Sequence, residues 1–323
     1  MFSQVTCCRC AIRVAFCRRT ADCDPPGCTA AAAHQHSSQH GAPVSAGRYN
    51  KQLLRGAGRL DDLRTLAWQI RQHFYKITLP WSDEGYRLLP AHFYFDLSAR
   101  MREFEQSFSR QVDEFLDFYP SYIDHVRPEL NGLFREEDYP SADALRKKFG
   151  LKLEVLPIPS GDDFRVTMSA EEQARVAREI DTNVRQSLQK GTEDLWSRLK
   201  SVVSHMADRL NEPESRFHAS LVTNVFDLVD LLPQLNVGQD QELSRFAAEI
   251  RNRLCAYPAH KLKKSDILRV ATASDAAALL NEMDTVMKQR EQATAEESFA
   301  PAPGPSADDI ISHMSAYMEM ATP

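Results

Sequence analysis

Residues 169–210 read SAEEQARVAREIDTNVRQSLQKGTEDLWSRLKSVVSHMADRL. Ser169 followed three residues later by Glu172 is a capping box, the pairing that satisfies free N–H groups at a helix start. Val176, Ile180, Val184, Leu188, Leu195, Leu199, Val202, Met206 and Leu210 then recur at spacings of three, four and seven. That period lays apolar side chains along one helical face. The stretch therefore predicts one helix of about forty residues, roughly 60 Å long at 1.5 Å per residue. Gly191 is the point where it could kink, and Pro213 is its stop.

Upstream, a first amphipathic helix carries Leu53, Leu54, Leu60, Leu63, Leu66, Ala67, Ile70 and Phe74, with Gly56 and Gly58 breaking its beginning. A connection from Leu79 to Pro90 is bounded by prolines and rich in aromatic and leucine side chains. A second helix is expected over Phe93–Tyr119, with Leu97, Met101, Phe104, Phe108, Val112, Phe115 and Leu116 as its stripe and Pro120 as its end. A short helical piece over Tyr122–Phe134 follows. Another covers Ala142–Phe149, capped by Ser141 and closed by Gly150. Alternation at Leu151, Leu153 and Val155, turn residues at Ser160–Asp163, and alternation again at Phe164–Met168 predict a small β-hairpin.

Downstream of the long helix three more are expected: Phe217–Leu232 ending at Pro233, Asp240–Ala256 ending near Pro258, and Ser265 to about Gln292. Asp266, Ile267, Val270, Leu279, Leu280, Met283 and Met287 mark the expected buried face of the last. Residues 293–308, with Pro301, Pro303 and Pro305, read as a flexible linker. In 309–323, Ile310, Ile311, Met314, Tyr317 and Met318 share one face of a short amphipathic helix with acids at its start. Such a tethered segment suits insertion into a partner's groove, so these five residues are the candidate docking site. The fold class is mainly α: an elongated helical bundle with one long central helix and a small β-hairpin insertion. Its parts are a leader (1–48), an N-terminal helical region (49–150), the hairpin (151–168), the long-helix bundle (169–292), the linker and the tail. The long stripe carries a coiled-coil character.

Composition narrows the function. Twelve glycines in 323 residues are few for a large β or dinucleotide-binding protein. Five arginines and two aspartates in the first 48 residues leave 34 basic against 43 acidic side chains from Tyr49 onward. So acidic a body disfavours nucleic acid as partner. No apolar run approaches the ~18 residues that cross a bilayer, so the chain is read as soluble and cytoplasmic, with no membrane contact. The leader holds Cys7, Cys8, Cys10, Cys17, Cys23 and Cys28, then His34, His36 and His40. It lacks the paired spacing of a zinc ladder. A disordered or spurious N-terminal extension is the leading reading, with an Arg-rich targeting peptide and a metal site as alternatives.

The sequence contains no phosphate loop, no H-E-x-x-H and no G-x-S-x-G. His205 and Asp208 lie one helical turn apart, but two ligands do not hold a metal. Asp162–Asp163 suits a turn, and Glu136-Glu137-Asp138 a solvated face or cap. The aromatics Phe93, Tyr94, Phe95, Phe104, Phe108, Phe115, Phe118 and Tyr119 could stack bases but are read as core. No catalytic residue, cofactor or metal is assigned.

Asp138-Tyr139-Pro140-Ser141, Lys148-Phe149-Gly150, Pro157-Ile158-Pro159, Asp163-Phe164-Arg165-Val166 and Asp194-Leu195-Trp196-Ser197-Arg198-Leu199 stand in that order. This series resembles a family of helical proteins from bacteria and their phages, catalogued as domain of unknown function 3150. The resemblance covers about Tyr49–Gln292. It implies a phage-, plasmid- or bacterium-borne cytosolic protein working beside an ATPase machine, and no catalytic residue. The leading expectation is a non-catalytic adaptor or scaffold acting on a protein partner or by self-association. The alternatives are a nucleic-acid-associated phage factor using Lys261, Lys263, Lys264 and Arg269, and an enzyme whose site assembles from scattered residues.

Overall fold

The structure is a computed structural model describing residues 5–14, 51–82, 85–159, 169–212 and 218–299. Its described residues form eight α-helices and one four-stranded antiparallel sheet, so the chain is mainly α. Two compact units divide it: Met1–Leu195 with Gln234–Asp240, and Trp196–Pro233 with Gln241–Pro323.

In the first unit β1 (Val5–Arg13) is followed by α1 (Gly58–Lys76), then β2 (Leu79–Pro80) and β3 (Arg87–Pro90). Next come α2 (Tyr94–Leu130), α3 (Ala142–Arg146) and β4 (Gly150–Leu156). The strand order is β2-β3-β1-β4. β1 pairs on one side with β3, Cys7 opposite Leu88, and on the other with β4, Cys10 opposite Leu153. This corrects the expectation for the leader. Val5–Arg13 is a strand inside the sheet, because Cys8, Cys10, Ile12 and Val14 alternate toward the core while the backbone finds two partners. Cys8 is fully buried, and burial pushes the Cys10 thiol up to about 11 against the opposing charge of Arg71. β4 pairs with β1; the expected second hairpin strand, Phe164–Met168, lies outside the described residues.

α1 opens after Gly56, whose φ of 75° belongs to the left-handed region that favours glycine. Leu60, Leu63, Leu66, Ala67, Ile70 and Phe74 are its buried face. They pack with Leu97, Met101, Phe104, Phe108, Val112, Phe115 and Leu116 of α2, as the spacing predicted. α2 runs through Pro120 and also contains Pro128. A mid-helix proline removes one hydrogen bond at a cost of about 3 kcal/mol. Here the apolar face continues past it through Val126, which is 1% exposed, and packing holds the helix together. The segment expected separately at Tyr122–Phe134 is thus largely the end of α2.

Several polar side chains of this unit find partners within it. Thr78 is fully buried; its hydroxyl donates to the Phe74 carbonyl at 2.7 Å and accepts from Arg87 Nε at 2.8 Å. Asp138 forms an ion pair with Lys51, and Tyr139 donates to the Leu53 carbonyl at 3.0 Å, fastening the approach to α1 onto the turn after α2. Ser141 caps α3 as expected, accepting from Ala144 N at 3.3 Å. Gly150 does not close α3; it begins β4, opposite Arg13.

α4 (Ala170–Asn211) is the 42-residue helix that residues 169–210 predicted. Ser169 Oγ accepts from Glu172 N at 3.3 Å, while the Glu172 carboxylate binds Arg175, so half of the capping box forms. The helix is continuous at Gly191, where a side chain would meet Leu79 Cδ1 at 3.3 Å and glycine lets the two approach.

The second unit contains α4 from Trp196 onward and most of α5 (Ser220–Leu235), then α6 (Gln241–Leu254), α7 (Ala259–Lys264) and α8 (Asp266–Phe299). Leu199, Val203, Met206 and Leu210 of α4 are buried, with Val203 taking the core position expected for Val202. Trp196 meets Phe246 edge-to-face at 5.4 Å between ring centroids. Arg251–Asp230 joins α6 to α5, and Arg253–Asp275 joins α6 to α8 at 2.7 Å. Pro233 lies inside α5 instead of ending it. No helix among the described residues is long and apolar enough to cross a membrane.

Candidate docking surface

α7 and α8 meet at Ser265, whose Oγ accepts from Leu268 N at 3.3 Å and so caps α8. Pro258 precedes α7, and Ala259 and Leu262 anchor that short helix in the core. Lys261, Lys263 and Lys264 therefore lie on its exposed side. The buried line of α8 is Ala273, Ala276, Leu279 and Met283, joined by Thr272, whose hydroxyl donates to the Leu268 carbonyl at 2.8 Å.

The same line turns Ile267 and Val270 outward, and they are 83% and 62% exposed. Ala271 and Ser274 continue this open face. Both apolar residues had been expected in the core; the structure overturns that. At 3.6 residues per turn Ile267 stands about 120° and 160° around the helix from Leu279 and Met283, so they cannot share a face. Measured from those two anchors, the angle was available in the sequence. An isoleucine and a valine one turn apart, followed by small side chains and preceded by exposed lysines, form a smooth apolar strip with a basic end. Covering such side chains fully stabilises a contact by about 1.5–3 kcal/mol each.

The other sequence candidates do not converge on this face. Arg269 is half-buried and pairs with Asp266 at 3.1 Å, separating it from the exposed lysines. His205 and Asp208 are exposed on α4. Among the described residues no group of three or more His, Cys, Asp or Glu could hold a metal. Glu136-Glu137-Asp138 forms a 3-10 turn in which Asp138 serves Lys51 and Glu136 faces Arg127 at 3.6 Å. Of the aromatic series, Phe104, Phe108, Phe115 and Tyr119 are core as expected, but Tyr94, Phe95 and Phe118 are exposed, Phe95 at 78%. Ile310, Ile311, Met314, Tyr317 and Met318, and Asp162 and Asp163, lie outside the described residues.

The first unit contributes a groove of about 250 Å³ between α1 and α2, lined by Arg59, Asp62, Thr65, Leu66, Gln69, Gln111 and Glu114. Arg59 pairs with Glu114 at 2.9 Å and lies 4.0 Å over the Phe118 ring. The guanidinium is thereby held by groups of its own unit, and the lining offers neither thiol nor imidazole. No protein-family model, no curated protein and no solved structure matches this chain.

Proposed function

We propose that this protein is a non-catalytic adaptor or scaffold acting through protein–protein contacts. The observation that carries the reading is the outward pair Ile267 and Val270 on α8, at 83% and 62% exposure. Large aliphatic side chains standing together in water mark a surface that gains by being covered. The 309–323 segment, with Ile310, Ile311, Met314, Tyr317 and Met318 at helical spacing, supplies a second docking element. The resemblance to the uncharacterised bacterial and phage family adds the setting: a cytoplasmic protein of phage, plasmid or bacterial origin working beside an ATPase machine.

Affinity purification from the native host, with mass spectrometry of what co-elutes, tests this reading. A specific set of proteins is expected with the wild-type chain and is lost with the Ile267→Asp/Val270→Asp variant. Identical co-eluting proteins for both would remove the surface from consideration. The exposed Lys261, Lys263 and Lys264 favour a second reading, binding to a nucleic-acid backbone. Gel shifts that weaken steeply with salt would select it over the adaptor.

A further inference from the structure

We infer that the apolar strip on α8 receives the acidic 308–320 segment of a second copy of this chain. The inference rests on the docking reading above and names its occupant. Asp308 and Asp309 immediately precede Ile310 and Ile311, and Lys263 and Lys264 close α7 just ahead of Ile267 and Val270, where the intervening Asp266 is paired with Arg269. Laid parallel to α8, the segment sets its two acids beside the exposed lysines and its aliphatic pair beside the aliphatic strip. Both complementarities then hold in one orientation.

Length decides between the chain's own segment and another copy's. The 34 residues of α8 run from Asp266 to Phe299, about 51 Å at 1.5 Å per residue. The stretch 300–308 spans at most about 32 Å when fully extended. Asp308 therefore cannot return to the lysines at the start of its own helix. The reversed, antiparallel arrangement is within reach of the same copy. It places the acids no nearer the start of α8 than about Ala278, beside side chains such as Asn281 that carry no positive charge. The charge-matched arrangement is available only between copies. Because the surface and the segment are different parts of the chain, the contact is heterologous: it closes when two copies exchange segments, and otherwise extends from copy to copy.

Sedimentation velocity of the full chain over a wide concentration range provides the test. The wild type is expected to gain mass with concentration. Deletion of residues 300–323 and the Ile267→Asp/Val270→Asp double variant are each expected to remain monomeric, with unchanged circular dichroism. An equimolar mixture of the two regains a dimer, since one supplies the surface and the other the segment. Lys264→Glu, which leaves the core untouched, weakens association in a salt-dependent way. A wild-type chain monomeric throughout, or a mixture that fails to associate, overturns the inference. So does a wild type that stays monomeric while a labelled 306–323 peptide binds only the tail-deleted chain, the mark of docking within one copy. The adaptor reading survives any of these results if the co-eluting proteins still depend on Ile267 and Val270, and falls separately if they do not.

Discussion

His73 sits half-buried on α1, its ring edge-on to Phe104 at 5.8 Å between centroids. Burial, then the charges of Arg100 and Lys76, hold its pKa below the ordinary 6.5. The folded state therefore keeps this imidazole neutral where the unfolded chain protonates it. Stability from this residue is fully present above about pH 7 and declines as the pH falls through 6.5 toward the lower folded value. Urea midpoints measured from pH 8 to pH 5 are expected to fall in that window, and a His73→Gln variant is expected to show a shallower decline. Equal slopes for the two proteins would refute the assignment. Single positions also show what spacing alone could deliver. Every residue of the Leu97–Leu116 stripe is buried, whereas Ile267 and Val270, apolar like Leu279, stand about 120° and 180° around α8 from it and are exposed. Glycine contacts were closed to sequence reading altogether. A side chain at Gly238 would stand 2.9 Å from Thr192 Oγ1, a proximity that no local pattern encodes.

Helices proved more continuous than their prolines implied. Pro120 is exposed in the middle of α2, and the helix persists because Phe115, Leu116, Tyr119 and Val126 remain buried on either side of it. The Ser121 hydroxyl donates to the Phe118 carbonyl at 2.7 Å, answering one acceptor of this turn. If packing alone carries the helix over the break, Pro120→Ala restores the missing N–H and stabilises the protein by about 1–3 kcal/mol. The urea midpoint should rise with an unchanged slope; a fall would mean that the proline shapes the helix for its neighbours. Pro233 repeats the lesson in α5, where Leu232 and Leu235 are both fully buried around it. The existence of the long helices was legible because an amphipathic period accumulates over many turns. Their ends were not, because a proline's local cost competes with burial that only the tertiary structure reveals. Strand pairing was the least legible level: β4 finds its partner some 140 residues earlier in the chain, in a segment whose cysteines and arginines obscured its alternation.

At the scale of the molecule, the two units make distinct demands on the sequence. The second is assembled from helices adjacent in the chain, and its main contacts, α6 with α8 and α7 with α8, are local. The first depends on β1, which bridges β3 and β4. Removing residues 1–14 takes a central strand out of the sheet and uncovers Leu89, Leu151 and Leu153. Hydrogen exchange is then expected to lose protection in β3 and β4 while the amides of α6 and α8 keep theirs. Uniform loss across both units would show that they unfold as one, and no loss at all would show that β1 is dispensable.

The placement of β1 also sets a timetable. Its nine residues leave the ribosome well before Arg87–Pro90 and Gly150–Leu156 exist to receive them. At about 5–20 residues per second, both edges of the strand wait roughly four to fifteen seconds for β3, and one edge waits roughly seven to thirty seconds for β4. Over that interval a β-prone, thiol-bearing ribbon is open to any passing strand, and a nascent-chain chaperone that shields it would raise the yield of correctly closed sheet.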